Sequence, residues 1–196
     1  MKKLFTLFLA LVMIVSMAAC GKTDAPDNSG DNAGKATYRV GVCQLAQHPA
    51  LDAATPGFVD ALKEELGDDG NIEVQNASGE SNNCSTIING FLSSDVDLIM
   101  ANATNAVKAA REATSDIPII GTSVTDYVSS GLVASNEAPG ANVTGASDMN
   151  PVNVQVQLMK TLCPEVKTVG IVINSGEENS AIQAEEAKTA FEAEGF

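Results

Sequence analysis

The sequence predicts a doubly wound α/β fold, and three observations carry that prediction. From Tyr38 onward, short runs that are apolar throughout alternate with helical stretches. Strands that are apolar on both faces belong to a parallel sheet covered on both sides. Helices joining parallel strands by right-handed crossovers then wind the sheet in both directions. Finally, nearly every predicted strand is followed by residues with hydroxyl or amide side chains. In open parallel sheets, ligands bind outside the carboxyl ends of the strands.

The first strand is predicted at 38–44, YRVGVCQ. A helix follows over 49–66, with Phe58, Leu62 and Leu66 on one face and Gly67 as its stop. The second strand is 72–75, followed by a helix over 81–93 whose apolar residues are Cys84, Ile87, Ile88, Phe91 and Leu92. The third strand is 96–100, then an Ala-rich helix covers 104–113, then a fourth strand 117–120. Short extended pieces are expected at 132–134 and 143–146. Asn150-Pro151 reads as a cap with Pro in the first turn, opening a helix to about Leu162 with Val154, Leu158 and Leu162 stacked. A strand at 168–173 and a helix at 178–194 close the series.

Composition narrows the function. The 196 residues carry a formal charge of −14, which opposes capture of nucleic-acid phosphate or a polybasic grip on membranes. The 44% apolar content is too high for a wholly disordered chain. With one His and no CxxC, a metal site is not expected. The sequence holds no GxSxG elbow, no phosphate-binding GxxxxGK[ST] loop and no GxGxxG. No catalytic constellation and no cofactor are therefore expected. Besides Cys20, three cysteines remain, an odd number; Cys43 and Cys163 read as small buried hydrophobes.

The N-terminus reads as an address. Lys2 and Lys3 precede an apolar run at 4–17, then Ala18 and Ala19 precede Cys20. That is the layout of a signal peptide over 1–19, with an apolar run short of the ~20 residues a spanning helix needs. MAACG at 17–21 resembles a bacterial lipobox, which implies that Cys20 is lipidated and anchors the chain to the membrane. Two acyl chains hold a protein on a bilayer stably, at ~0.8 kcal/mol per buried CH₂. From Cys20 to 37 the chain is rich in Gly, Asn and Asp, as suits a flexible tether.

After the predicted strands come Gln44 to Pro49, Ala101 to Asn105, Gly121 to Tyr127, Gly145 to Asn150 and Asn174 to Ser180. These edges suit a pocket that reads a small neutral or zwitterionic ligand by hydrogen bonds. Asn102, Thr104, Asn174 and Ser180 are equally at home as caps and turn residues. Asp126 and Asp148 are placed to meet a ligand ammonium.

The same residues resemble a known family. VCQLAQHPALDAATPGF (42–58), DLI (97–99), ATNA (103–106), IPI (117–119), TSVTD (122–126), PGANVTGASD (139–148), VGIV (169–172) and NSGEENS (174–180) are similar to the substrate-binding lipoproteins of ABC importers. The similarity is to the subfamily that contains tryptophan-binding proteins. It implies a type I periplasmic-binding-protein fold, two α/β lobes closing on a ligand, and delivery to a permease driven by an ATPase. It implies a solute such as an aromatic amino acid, held by Gln44, His48, Thr104, Thr122, Thr125, Asp126, Asp148, Asn174 and Asn179. The first lobe would span 38–148, the hinge crossing would lie near 145–150, and 149–196 would start a second, incomplete lobe. On that expectation the chain is truncated and binds ligand poorly by itself. A sensor module for a signalling receptor, or a sugar or nucleoside binder of the same fold, is the alternative. The absence of Trp weighs against a sugar, whose ring commonly stacks on aromatic side chains.

Overall fold

The computed structural model describes residues 37–196. The signal peptide, Cys20 and most of the tether lie outside the described residues. Five strands, β1 (Tyr38–Gln44), β2 (Gly70–Asn76), β3 (Leu98–Asn102), β4 (Ile119–Val124) and β5 (Val143–Ser147), form one sheet in the order β2-β1-β3-β4-β5. Every adjacent pair is parallel. The helices are α1 (Pro49–Leu66), α2 (Ser81–Ser93), α3 (Thr104–Ala113), α4 (Val152–Leu162) and α5 (Glu178–Ala193).

Strand alternation sorts the core into two layers. Val40 and Val42 of β1 and Met100 of β3 face α1, packing with Val59, Phe58 and Leu62. Cys43, Ile99 and Ala101 face the other way, against Cys84, Ile87, Ile88 and Phe91 of α2 and Ala106, Val107 and Ala110 of α3. This two-sided burial is why both strands read as unbroken apolar runs. A glycine at position 41 is required by that packing, because a Cβ there would run into the Phe91 ring.

Several boundaries differ from the sequence expectation. The third strand is shifted two residues onward, because its pairing runs from Val40↔Leu98 to Gln44↔Asn102. Asp97 stays outside it and accepts a hydrogen bond from the Arg39 backbone N–H at 2.8 Å. The fourth strand starts after Pro118, which lacks an N–H to donate, and runs on to Val124, so Thr122 lies inside it. Residues 132–134 are not a strand; Leu132 and Val133 donate backbone hydrogen bonds to Tyr127 O in a tight turn.

The largest correction concerns 168–173, which is not a strand. Its apolar residues are in the open, with Ile171 43%, Val172 99% and Ile173 47% exposed. A strand needs a neighbour to complete its backbone hydrogen bonds, and the sheet ends at β5. Cys163 is also corrected: it is exposed at the end of α4, not buried. Helices α4 and α5 pack on each other, and Lys160 Nζ donates to Glu194 Oε2 at 2.7 Å and to its backbone O at 3.0 Å.

Candidate functional site

The strand order reverses between β1 and β3: the chain leaves β1 for β2 on one side, then returns to β3 on the other. A crevice opens at the carboxyl ends where such a reversal occurs. The register places Asn76, Gln44, Asn102 and Thr122 in one row across β2, β1, β3 and β4 at that edge. Four amide or hydroxyl side chains in line make a polar rim.

Gln44 is buried and fully engaged. Its Nε2 donates to Asp52 Oδ1 at 2.6 Å and to Ala46 O at 2.7 Å, while its Oε1 accepts from Thr55 Oγ1 at 2.6 Å. Thr55 in turn accepts from Asn102 Nδ2 at 2.9 Å, and the same Nδ2 reaches Leu51 O at 3.0 Å. This network ties the start of α1 to the ends of β1 and β3. His48 is exposed and caps α1: its Nδ1 accepts from the Ala50 N–H at 3.2 Å.

At the next position along the edge, two buried oxygens have no hydrogen-bond partner: Asn102 Oδ1 and Thr104 Oγ1. Asn102 is fully buried and Thr104 is 2% exposed. A buried polar atom without a partner costs about 1–3 kcal/mol, so such atoms mark a place where a partner is expected. Ala103 between them has φ +93°, a backbone conformation that is strained for a residue with a Cβ. Thr104 opens α3, whose N-terminus attracts negative charge.

Thr125 and Asp126 follow β4. Thr125 is buried; its carbonyl accepts from Ser147 Oγ at 2.7 Å and its hydroxyl from Gln183 Nε2 at 3.3 Å. Asp126 closes a turn, with Oδ1 accepting from the Val128 and Ser129 N–H groups and Oδ2 from Ser129 Oγ. Those bonds, led by the Ser129 backbone, hold its carboxyl below the usual carboxylate range. Asp148 is exposed beyond β5. Tyr127 fills the space beneath; burial, then the Asp148 charge, pushes its phenol up to about 12. Its hydroxyl donates to Ala146 O at 3.3 Å, and a Cβ on Gly121 or Gly145 would collide with it.

Asn174 closes its own turn, accepting from the Gly176 N–H at 3.0 Å and donating to Glu177 Oε1 at 2.9 Å. Asn179 sits half-buried in the first turn of α5. The turn lies over the start of α3: Asn105 Nδ2 donates to Gly176 O at 3.3 Å, and Lys108 pairs with Glu178. A polar cavity of about 390 Å³ lies there, lined by Ser81, Asn105, Lys108, Gly176 and Glu178 among others.

The structure thus brings Gln44, Thr104, Thr122 and Thr125 to one sheet edge, with Asp126 and Asp148 beyond it. His48 and Asn174 serve local caps and turns. Sequence reasoning passed over Asn102 as a site residue because a strand end two residues early made it look like a cap. It missed Thr55 and Gln183 because a polar residue on a helix carries no signal of what it faces. Among the described residues, no group of His, Cys, Asp and Glu could hold a metal ion. None of the described helices is long and apolar enough to cross a membrane.

A family model described as ABC transporter substrate binding protein matches residues 39–196. A tyrosine-binding protein of Clostridioides difficile (strain R20291) is 41% identical over 191 residues, covering 94% of this chain and 55% of that protein. The chain therefore spans about half the length of that relative. A crystal structure of an ABC domain in complex with L-Trp from Streptococcus pneumoniae is 37% identical, with TM-score 0.78, over 82% of this chain and 55% of that one. A ligand-free, open substrate-binding protein with adhesive properties from Clostridium difficile is 40% identical, with TM-score 0.65, over the same shares. A leucine-binding protein from Thermotoga maritima, 12% identical with TM-score 0.64 over 81% of this chain and 47% of that one, shares the fold.

Proposed function

This chain belongs to the family of ABC transporter substrate-binding proteins, and from that premise we propose that it captures an aromatic amino acid for import. Members of the family bind solutes and do not turn them over. The observation that carries the reading is the buried, unpartnered hydroxyl of Thr104, a donor at the start of α3. In this reading the α3 N-terminus and Thr104 receive the ligand carboxylate, because partial positive charge collects at a helix start. Asp148, with Asp126 nearby, receives the ammonium group. Gln44 acts through Thr55, holding Asn102 in place rather than touching ligand.

The names of two relatives support the aromatic assignment: one is a tyrosine-binding protein and one structure holds L-Trp. In the cell, Cys20 would carry the lipid that keeps the protein on the outer side of the membrane. Residues 145–150 would form the hinge between the lobes, and a permease with its ATPase would take the released solute. Closure about such a hinge couples occupancy to recognition by the partner.

Saturation-transfer NMR tests the ligand class, because it detects binding even in the millimolar range. L-tyrosine and L-tryptophan should receive saturation from the chain, and myo-inositol should not. Thr104→Val should abolish the transfer while leaving the fold intact. Equal transfer to inositol, or none to either amino acid, would refute the assignment. Labelling with a radioactive fatty acid in bacterial cells tests the anchor, with loss of label expected in Cys20→Ala.

A further inference from the structure

Three cysteines beyond Cys20 cannot be paired by counting, but the fold gathers two of them into one buried cluster. Cys43 lies in β1 and Cys84 in α2; both are free thiols, both fully buried, and both belong to one core cluster. Their meeting follows from how α2 lies on the sheet. Phe91 packs against Gly41. Cys43 is two residues beyond Gly41, so it points to the same face, nearer the carboxyl edge. Cys84 is seven residues before Phe91, two turns back along α2, and so stands over that same edge. Their electrostatics agree with that placement: Cys84 and burial push the Cys43 thiol up, and Cys43 draws the Cys84 thiol down. Cys163 is remote in character, exposed at the end of α4.

We propose that Cys43 and Cys84 are a disulfide-forming pair that clips β1 to α2 directly beside the binding edge. Cys43 immediately precedes Gln44, so the link would brace the root of the Gln44–Thr55–Asn102 network. It would close a loop of residues 43–84, long enough to restrict the unfolded chain substantially. The buried site makes the link a folding event: it forms before α2 seals the edge and is then protected from reductants. Disulfides persist in oxidising, extracytoplasmic settings. Only the setting rests on the proposed export; the pairing rests on the fold.

The chemistry is a two-step exchange with a low-molecular-weight disulfide. One cysteine thiolate attacks a sulfur of oxidised glutathione and expels one glutathione thiolate. The second cysteine thiolate then attacks the protein sulfur of the mixed disulfide and expels the other. Two electrons pass from the protein sulfurs to glutathione, and the two thiol protons end on the two reduced glutathiones.

The test refolds the 196-residue chain in a glutathione redox buffer, alkylates it in denaturant without reductant, and maps tryptic peptides by mass spectrometry. A pair of peptides, 40–63 carrying Cys43 and 64–108 carrying Cys84, should appear linked and two hydrogens lighter than their sum. Dithiothreitol should release them, and the linked form should melt roughly 5 °C higher than the reduced form. The result that overturns the proposal is alkylation of both Cys43 and Cys84 after refolding, a stable glutathione adduct on either, or a dominant link from either to Cys163. None of these readouts depends on ligand or on export, so failure here leaves the proposed function standing.

Discussion

Residues 38–148 and 149–196 are written in the same style, apolar runs alternating with amphipathic helices, yet they pack differently. In the first stretch every interior strand has a neighbour on each side and helices above and below. In the second, the run at 168–173 has no strand partner, and α4 turns Val154, Leu158 and Leu162 to solvent at 54%, 56% and 70% exposure. Only Val156 of α4 is buried. The difference teaches that an apolar pattern states what an element can bury, while the fold decides whether anything is there to bury it. It also separates energy from position: the first stretch supplies nearly all of the core, Val156 being the second's buried share, and the second adds polar contacts at Asn105, Lys108 and Thr125.

Paired substitutions sharpen this contrast most. Phe91→Ala in α2 should cost about 3–5 kcal/mol in denaturant unfolding, since the ring is fully buried. Leu158→Ala in α4 should change stability by less than about 0.5 kcal/mol, since little is buried there. Equal losses would show that α4 is covered in solution. Hydrogen exchange offers the same contrast by backbone: amides of Leu98–Asn102 should be among the slowest, and those of 169–173 among the fastest.

Next in size is the polar carboxyl edge of the sheet. Asn102→Leu removes the Nδ2 bonds to Thr55 and Leu51 and should destabilise the fold by about 1–3 kcal/mol in thermal or urea unfolding. It should also abolish saturation transfer to L-tyrosine. Lost stability with unchanged ligand transfer would limit Asn102 to a bracing part.

Tyr127 gives a pH-dependent test. Its phenol titrates higher in the folded chain than in the unfolded one, because burial and then Asp148 disfavour the phenolate. The unfolded state therefore loses its proton first as pH rises. Stability from this group is complete below the ordinary phenol pKa near 10 and declines until pH reaches about 12. Stability curves of wild type and Tyr127→Phe should differ in slope across that window and run parallel below it.

The smallest effect is expected where the two stretches touch at the surface. Lys108 and Glu178 are 41% and 47% exposed, so Lys108→Gln should cost no more than about 1 kcal/mol, and less at high salt. A larger loss in a double-mutant cycle would make this pair a genuine fastener between 38–148 and 149–196.

Much of this was legible in the residues. Val40 and Val42 against Gly41 and Cys43 announce a strand buried on both faces, and hydroxyl and amide residues after the strands announce a polar edge. Strand ends were less legible. Asn102 and Thr122 lie inside strands because pairing with β1 and β3 extends them past their apolar runs, and hydrogen-bond pairing is a property of the neighbour. Asp126 illustrates the same limit at a turn: its carboxylate is engaged by the Ser129 and Val128 N–H groups, a use the bare sequence could not separate from ligand contact.

By itself, the sequence determined the order of elements from β1 to β4, the parallel α/β class and the polar character of the sheet's carboxyl edge. Those follow from local periodicity and from the way βαβ units must wind. Only the tertiary structure decided that Gln44, Asn102 and Thr122 stand in one row, that Asn102 Oδ1 and Thr104 Oγ1 are left without partners, and that Cys43 and Cys84 share one buried cluster. It also decided that the apolar run at 168–173 stays unpaired. These are relations between residues distant in the chain, and nothing in a local pattern encodes which neighbour packing will supply.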